Sequence, residues 1–516
     1  MLRTTLITAL LALTSSWAAA RPNIIVIFSD DHATTAISSY GSNLINTPAI
    51  DRLAQGGMRF NNAFVGNAVC GPSRATLLTG VHSHVHGHMV NEWGGAFNGT
   101  QQTFPKLLQA AGYQTALFGK WHLYSDPTGF DDWAVIDNVG EQGTYYNASF
   151  RSPNGVEQTE GYTTDEITDK ALRWLTNKRE GDKPFLLMVQ HKAPHRDWLP
   201  SIEEMQNWDE AATVAEPATL FSAHAKKGAA RSQNKMRIDD HMTRLDVKLS
   251  VPSYLTEAQK KVFEETYGPG NQAFENAQLK GDDLTRWKYQ RYIKSYLASV
   301  EGMDRSIGRL LDTVDAAGLT DDTIILYTSD QGFYLGENGW FDKRWMYDIS
   351  THVPLLMQWP GHIKPGSTND ALVQNIDLAP TLLDAANVTP DQPMHGQSIL
   401  PLTQGVAADW RQAIYYHYYE NPGFHNVPRH YGVRTDRWKL IHYYRIGEWE
   451  LFDLQADPNE QISLHGQPGY EQITRQLEQE LAAQRTLYMV DPAAEPEAPW
   501  YTAPMVWAFE QLLKVL

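Results

Sequence analysis

Several short apolar segments of this chain have the composition of buried strands. Acidic, amide or basic residues lie at the end of each segment or shortly after it. The chemically capable residues in these places are Asp30, Asp31, Lys120, His122, His195, Asp330 and Gln331. The carboxyl ends of parallel strands share one edge of an open α/β sheet, and ligand sites lie there. We therefore expect Asp30, Asp31, His122, His195 and Asp330 to gather at one sheet edge, although they are far apart in the sequence.

Four of these residues offer oxygen to a cation. The carboxylates of Asp30, Asp31 and Asp330 and the amide oxygen of Gln331 form a hard ligand set, which suits Ca²⁺ or Mg²⁺. A single aspartate in such a place is as often a turn residue or a helix cap, so the prediction depends on the four together. The two histidines of the set suit proton transfer, because the pKa of an imidazole is close to working pH.

Cys70 is the one cysteine of the chain, so an intramolecular disulfide is impossible. Free cysteine is ordinarily a small buried hydrophobe. Here the surrounding residues 69–80 read VCGPSRATLLTG, and they favour a functional role. Arg74 stands four positions after the cysteine, on the same face of a helix if one begins near Pro72.

The pattern C-x-P-S-R with a downstream L-T-G resembles the signature of the type I sulfatases. Further segments match that family in order from residue 23 to about 454: the opening strand with its two aspartates, GKWH at 119–122, APH at 193–195, SDQG at 329–332 and FDKR at 341–344. The resemblance implies an alkaline-phosphatase-like α/β sandwich, with a large mixed sheet between helices, and a sulfuric ester hydrolase. Composition and periodicity alone do not predict that reaction.

In that family the signature cysteine is oxidised to formylglycine (3-oxoalanine) by a maturating enzyme, and the aldehyde hydrate is the nucleophile. The resemblance implies that Cys70 is converted in this way and completes the ligand shell of a Ca²⁺ ion, with Mg²⁺ as the other candidate. It implies that His122 is the base for the hydrate, and that His195 is a sulfate ligand or the acid for the leaving oxygen. The implied catalytic residues are Cys70, Arg74, Lys120, His122, His195 and Lys343.

These residue types agree with the chemistry of a sulfate monoester. The ester is anionic and its alkoxide leaves poorly, so the transition state needs positive charge on the oxygens and delivery of a proton. Two alternatives stay open. The same superfamily contains phosphonate monoester hydrolases and phosphodiesterases, and the chain could also be an inactive glycan-binding relative.

A sulfated carbohydrate is the predicted substrate, of algal, glycosaminoglycan or mucin type. Arg196 and Trp198 follow the APH segment and are predicted to line the rim of the pocket. His425 and His430 belong to an aromatic, histidine-rich stretch, and we expect them to contact the sugar. A packed sheet surface is the other interpretation of that stretch.

Three parts are predicted for the mature chain: a catalytic α/β domain over 21–370, a smaller α+β subdomain over 371–490 and a tail over 491–516. Within the subdomain, 433–444 and 449–454 are predicted to be two antiparallel strands with a turn near Gly447. The polar stretch from about 200 to 281 shows little periodicity.

The N-terminus has the pattern of an export signal. Arg3 precedes an apolar run over 6–13, and Ala18-Ala19-Ala20 forms a small-residue cleavage site. Residues 1–20 are therefore predicted to be a signal peptide of a periplasmic or secreted protein, and no membrane span is expected. The charge sum of −17, from 43 basic and 60 acidic residues, argues against nucleic acid as a partner.

Overall fold

The computed structural model describes residues 21–91, 95–222, 228–406, 409–499 and 501–515. The predicted signal peptide, 1–20, lies outside the described residues, so it stays a prediction, as do the three predicted domain boundaries. Within the described ranges, no helix has the length and apolar character that crossing a membrane requires.

Strands and helices alternate through most of the chain. The strands are β1 Asn23–Ser29, β2 Met58–Phe60, β3 Ala63–Phe64, β4 Gln114–Gly119, β5 Asp132–Ile136, β6 Ser149–Ser152, β7 Gly155–Gln158, β8 Phe185–Gln190, β9 Thr323–Ser329, β10 Tyr334–Leu335, β11 Phe341–Asp342, β12 Leu355–Gln358, β13 Ser367–Asn369, β14 Val373–Gln374, β15 Ala413–Tyr418, β16 His430–Thr435, β17 Trp438–Tyr443 and β18 Glu448–Asp453. The α-helices are α1 Pro48–Gly56, α2 Cys70–Thr79, α3 Ser83–His86, α4 Phe104–Ala110, α5 Thr163–Asn177, α6 Ile202–Gln206, α7 Ala229–Ser232, α8 Ile238–His241, α9 Glu257–Ala277, α10 Gly281–Ala316, α11 Asp348–Thr351, α12 Leu378–Ala385, α13 Leu400–Thr403, α14 Glu471–Leu487 and α15 Thr502–Val515.

One mixed sheet of ten strands forms the centre of the molecule, in the order β13-β2-β12-β9-β1-β8-β4-β5-β6-β7. Its middle strands β9, β1, β8 and β4 are mutually parallel, whereas β12 and β6 pair antiparallel with their neighbours. The predicted large mixed sheet is confirmed. Because the four central strands are adjacent and parallel, their carboxyl ends lie side by side.

Helices cover both faces of this sheet, which explains why β1 is apolar from Ile24 to Phe28. Ile24, Val26 and Phe28 enter one buried core, while Ile25 and Ile27 enter the core on the opposite face. A strand covered on both faces has no polar side, which explains the continuous run of large aliphatic residues.

A second, antiparallel sheet of four strands, β15-β16-β17-β18, confirms the predicted C-terminal α+β part. Helix α14 packs on one face through Leu477 and Leu481, and the other face joins the main core through residues such as Tyr416 and Phe452. The prediction of a single strand over 433–444 is wrong. The chain turns at 436–437, so this region forms the hairpin β16–β17.

The polar, poorly periodic stretch between 200 and 281 contains a long helix, since α9 spans 21 residues there. Thr256 and Gln259 form a capping box at its start, and Pro269 lies inside the helix. Gly268-Pro269-Gly270 has the composition of a turn, but burial of Phe263 and Tyr267 keeps the segment helical.

Asp304 of α10 caps the neighbouring helix α1. Its two carboxylate oxygens accept from the backbone N–H of Ala49 at 3.0 Å and of Ile50 at 2.9 Å, and Thr47 makes no side-chain cap bond. We expect Asp304→Ala to lower the free energy of unfolding by about 1–2 kcal/mol, the usual effect of losing a cap. Urea denaturation measures it, with the exposed Asp282→Ala as control; equal stability of the two variants would contradict the capping role.

Candidate active site

The carboxyl ends of β9, β1, β8 and β4 carry the residues that the sequence analysis singled out. Asp30 and Asp31 follow β1, and Asp330 and Gln331 follow β9, with β1 and β9 in register up to Ser29 and Ser329. Lys120 and His122 follow β4, and His195 follows β8. The structure therefore brings all seven residues to one edge of the central sheet.

Three carboxylates form the centre of this edge. Oxygen atoms of Asp30, Asp31 and Asp330 lie within 4.8 Å of one another, and all three side chains are fully buried. The Gln331 carboxamide contacts Asp31 and lies 3.3 Å from the Cys70 sulfur. Tyr296 of α10 supports this turn, because its hydroxyl donates to the backbone oxygen of Asp31 at 2.7 Å.

Three buried cations surround the carboxylates. Lys120 binds Asp30, Lys343 Nζ lies 2.7 Å from Asp31 Oδ2, and Arg74 lies 3.1 Å from Asp330 Oδ2. Arg74 also donates to the backbone oxygen of Lys120 at 2.8 Å and to the side-chain oxygen of Gln190 at 2.9 Å. Arg74 also lies 3.4 Å from Asp30 Oδ1, so Asp30 has two cationic partners and each of the other two carboxylates pairs with one lysine or arginine.

The carboxylate cluster fits a divalent cation. Burial and the charge of Asp30 raise the pKa of Asp330 well above its ordinary value, against the effect of Arg74. Burial also raises the pKa of Asp31, although Lys343 opposes it. Asp30 Oδ1 and Gln331 Oε1 are buried without a hydrogen-bond partner. Buried oxygens without a hydrogen bond, beside carboxylates that repel one another, are the donor set that Ca²⁺ and Mg²⁺ take in proteins.

Helix α2 begins at Cys70 itself, two residues earlier than predicted. The partial positive charge of a helix N-terminus therefore lies at this residue. Asn91 accepts the backbone N–H of Gly71 at 2.9 Å, and Ser73 donates to the backbone oxygen of Asp330, so the start of the helix is fixed to the carboxylate cluster. Burial raises the pKa of the Cys70 thiol to about 12, despite Lys343 and Lys120 nearby.

Two imidazoles border the cluster. His195 Nδ1 donates to the backbone oxygen of Arg196 at 2.8 Å, which leaves Nε2 at 3.6 Å from Asp31 Oδ2. His122 Nε2 lies 3.2 Å from the Tyr124 hydroxyl, and its Nδ1 is buried without a partner. Burial, with Lys120 nearby, lowers the pKa of both histidines well below the ordinary value. Both rings are therefore neutral at pH 7.

The profile of the sulfatase family matches residues 22–388, and that of the N-sulphoglucosamine sulphohydrolase C-terminal region matches 336–487. The chain belongs to the sulfatase family. An N-acetylglucosamine-6-O-sulfatase of Bacteroides thetaiotaomicron is 44% identical over 497 residues, covering 92% of this chain and 88% of that protein. The predicted resemblance and the predicted enzyme class are thereby confirmed: this chain is a sulfatase.

Solved structures agree with the alkaline-phosphatase-like sulfatase fold. One protein, solved in complex with its substrate D-glucosamine-2-N,6-O-disulfate, superposes with a TM-score of 0.89 at 43% identity, and the match covers 92% of this sulfatase and 100% of that chain. A phosphonate monoester hydrolase of Agrobacterium radiobacter has a TM-score of 0.68 at 21% identity, covering 91% and 96% of the two chains. That second likeness concerns the fold alone.

Two of the four residues predicted to bind substrate, Trp198 and His430, lie in the cores of the sulfatase, and their contact with substrate stays a prediction. Trp198 is fully buried and packs against Tyr292 and Phe333. His430 is fully buried, with Nδ1 donating to a backbone oxygen at 2.7 Å and Nε2 accepting the N–H of Met346 at 3.1 Å. Neither ring nitrogen of His430 is left for a ligand.

The other two predicted substrate residues make ion pairs. Arg196 forms a bidentate ion pair with Asp246, in which Nε and Nη2 each lie 2.6 Å from a carboxylate oxygen. His425 Nε2 lies 3.1 Å from Asp342 Oδ2. Neither pairing tests a contact with substrate, so both stay predictions.

Asp342 and Arg344 form a second charged group beside Lys343, which the sequence analysis did not single out. The two side chains pair with each other and are nearly buried. Their φ angles are 78° and 90°, in the left-handed region that ordinary residues rarely adopt. Strained backbone that carries buried charge is typical of binding sites. The FDKR motif at 341–344 contains both residues, but the family resemblance implies a role only for its lysine.

Proposed function

We propose that this sulfatase removes the 6-O-sulfate from glucosamine residues, N-acetylated or N-sulfated, in fragments of sulfated glycans. The reaction would take place outside the cytoplasm. The observation that carries the proposal is the 44% identity with an N-acetylglucosamine-6-O-sulfatase over 92% of the chain. The TM-score of 0.89 with a protein bound to a 6-O-sulfated glucosamine supports it.

The cluster at the sheet edge supplies the groups that this reaction needs. The carboxylates of Asp30, Asp31 and Asp330, with the amide oxygen of Gln331, would hold Ca²⁺ or Mg²⁺. When bound, the cation supplies Lewis-acid stabilisation of charge on a sulfate oxygen. Conversion of Cys70 by a maturating enzyme supplies a hydrated aldehyde as nucleophile, in place of a thiol that burial keeps protonated.

The cations of the chain favour an anionic ester. Arg74, Lys120 and Lys343 balance the three carboxylates in charge, so a divalent cation would make the centre positive overall. In a buried site such a charge stabilises the developing negative charge of the transition state more than it would in water. His195 presents Nε2 to the same space, where it can move a proton to or from the leaving oxygen.

Asp342, Arg344 and His425 are proposed to hold the hydroxyl groups of the sugar. They are joined to one another by ion pairs and directly adjoin Lys343. A carboxylate and a guanidinium together accept and donate hydrogen bonds, which is what neighbouring sugar hydroxyls require. A rigid, buried pair of this kind favours one arrangement of hydroxyls over another.

Sulfate release from a panel of esters tests the proposed function. The panel holds 6-sulfated N-acetylglucosamine, N,6-disulfated glucosamine, 6-sulfated N-acetylgalactosamine, an aryl sulfate and an aryl phosphonate, with Cys70 conversion confirmed by mass spectrometry. Release from the two glucosamine esters is expected. Cleavage of the aryl sulfate alone would refute the sugar assignment, and cleavage of the phosphonate alone would favour the phosphonate hydrolase alternative. Inertness towards the whole panel would favour the glycan-binding alternative.

Arg344→Ala separates sugar recognition from sulfate chemistry. We expect kcat/KM for 6-sulfated N-acetylglucosamine to fall roughly 100-fold, because buried polar groups lose their partner in the complex. For the aryl sulfate, which has no sugar hydroxyls, we expect a change of less than about threefold, as for any residue outside the chemical step. The exposed Arg173→Ala is the control. Equal losses on both substrates would contradict the assignment.

A further inference from the structure

Tyr124 reaches from the solvent to the buried catalytic centre. Its hydroxyl lies 3.2 Å from His122 Nε2, while the residue as a whole is 38% exposed. Gln142, which contacts both Lys120 and His122, and His195 are also partly exposed, so these side chains border the opening of the site. Tyr124 belongs to none of the motifs that identify the family in this sequence, and the proposed function gives it no role.

The backbone of Tyr124 has a conformation that favours glycine. Its φ is 54°, in the left-handed region that bulky residues rarely adopt. Glu141 enforces this turn, since its Oε2 accepts the N–H of Leu123 at 3.0 Å and of Tyr124 at 2.9 Å. An aromatic ring this exposed gains little from packing, so folding alone does not explain a tyrosine where glycine has no strain. Strained backbone of this kind is typical of functional sites.

Tyr124 and the proposed sugar-binding residues Asp342 and Arg344 lie on opposite sides of the centre. Asp342 and Arg344 flank Lys343, which binds Asp31 at the end of β1. Tyr124 follows β4, and in the sheet β8 separates β4 from β1. The ends of β1 and β4 are therefore roughly 10 Å apart, since neighbouring strands are about 4.8 Å apart.

The shape of a 6-sulfated glucosamine determines what faces Tyr124. C2 of this sugar bears nitrogen and C6 bears the sulfate, so only C3 and C4 carry free hydroxyl groups on neighbouring carbons. C1 lies across the ring from C4. A sugar held at these two hydroxyls by Asp342 and Arg344 therefore turns C1, and the group linked to it, towards the side of Tyr124.

We propose that Tyr124 is a specificity-determining residue whose aromatic ring packs against the sugar linked to C1 of the sulfated glucosamine, so that the sulfatase prefers an oligosaccharide to the free 6-sulfated sugar. The inference rests on the proposed function, since it concerns the same substrate. An aromatic ring suits this contact, because a pyranose presents C–H groups on its faces and aromatic side chains commonly line ligand sites. His122 keeps the role of base that the family resemblance implies.

Kinetics with two substrates that differ only at C1 test this contact. One is 6-sulfated N-acetylglucosamine, and the other is the disaccharide in which the same unit is linked through C1 to unsulfated galactose. The readout is the ratio of kcat/KM for the disaccharide to kcat/KM for the free sugar, with Cys70 converted. We expect a ratio of about three to ten in the wild type, the size of one aromatic packing contact. Any effect of a variant on the chemical step cancels in this ratio.

Two variants separate the ring from the hydroxyl. Glycine suits a φ of 54°, so Tyr124→Gly should keep the unfolding temperature of the wild type, and its ratio should fall to about one. Tyr124→Phe keeps the ring, so it should keep the wild-type ratio. The control is Leu487→Ala, which changes a 64% exposed apolar residue of α14 and should also keep the ratio.

Three results would each overturn the inference: a wild-type ratio near one, a ratio that is unchanged in Tyr124→Gly, or a ratio that is lost in Tyr124→Phe. In all three cases both 6-sulfated substrates are still cleaved by the wild type, so the proposed function stands. Cleavage of neither substrate by the converted wild type would refute the proposed function, and this inference with it.

Discussion

Replacement of Cys70 by alanine is expected to lower sulfate release by about 10⁴-fold or more, because removal of a nucleophile has effects of that size. Protein whose Cys70 stays a thiol is expected to be nearly as inactive. Burial raises the pKa of this thiol to about 12, so almost no thiolate is present at pH 7. A thiol also lacks the second hydroxyl of an aldehyde hydrate, through which the family releases sulfate.

Ion chromatography of released sulfate, paired with mass spectrometry of the peptide around residue 70, measures this effect. Preparations with different converted fractions should show activity proportional to that fraction. Cys70→Ala should still bind Ca²⁺, more weakly, because three carboxylates and an amide remain after the ligand at position 70 is lost, and its unfolding temperature should change little because one small buried side chain is exchanged for another. Substantial turnover by fully unconverted protein would overturn the proposed nucleophile.

The fold was predictable where the sequence is locally consistent. The run 24–28 is apolar at every position because both faces of β1 are covered, and the apolar residues in the middle of β8 and β9 are buried in the same way. Helix α9 escaped prediction because its Gly-Pro-Gly segment is a turn signal that tertiary packing overrides. The hairpin β16–β17 escaped because its turn at 436–437 reads Asp-Arg, which lacks the glycine that marks tight hairpins.

The centre of the site was predictable because each of its parts directly follows a strand of one parallel sheet. Contacts between distant loops have no corresponding pattern in the sequence. Gln142 lies in a loop without a chemical motif, and its bridge between Lys120 and His122 exists only in three dimensions. Roles for Trp198 and His430 are not predictable from residue type alone, since aromatic and histidine side chains beside a site also occur as packing residues.

Removal of divalent cations with a chelator is expected to abolish turnover and to lower the unfolding temperature, and added Ca²⁺ should restore both. The carboxylates of Asp30, Asp31 and Asp330 are fully buried within 4.8 Å of one another, so a bound cation removes their mutual repulsion. A ligand that binds only the folded state, at 100 times its Kd, adds about 2.7 kcal/mol to stability. Calorimetry with and without Ca²⁺ measures the shift; unchanged stability and activity after chelation would refute the metal site.

Asp330→Asn sharpens this test because it should reverse the order of stability. With Ca²⁺ present, the wild type should be the more stable, since the variant loses one charged ligand. Without the cation, burial and Asp30 raise the pKa of Asp330 well above its ordinary value, so the ionised side chain destabilises the folded state. The asparagine removes that charge and keeps an oxygen for Arg74, so in the presence of chelator the variant should be as stable as the wild type or more stable.

The control is the exposed Asp391→Asn, which should have the stability of the wild type in both conditions. A variant that is less stable than the wild type by the same amount with and without Ca²⁺ would show that Asp330 serves packing and the Arg74 pair, not a cation.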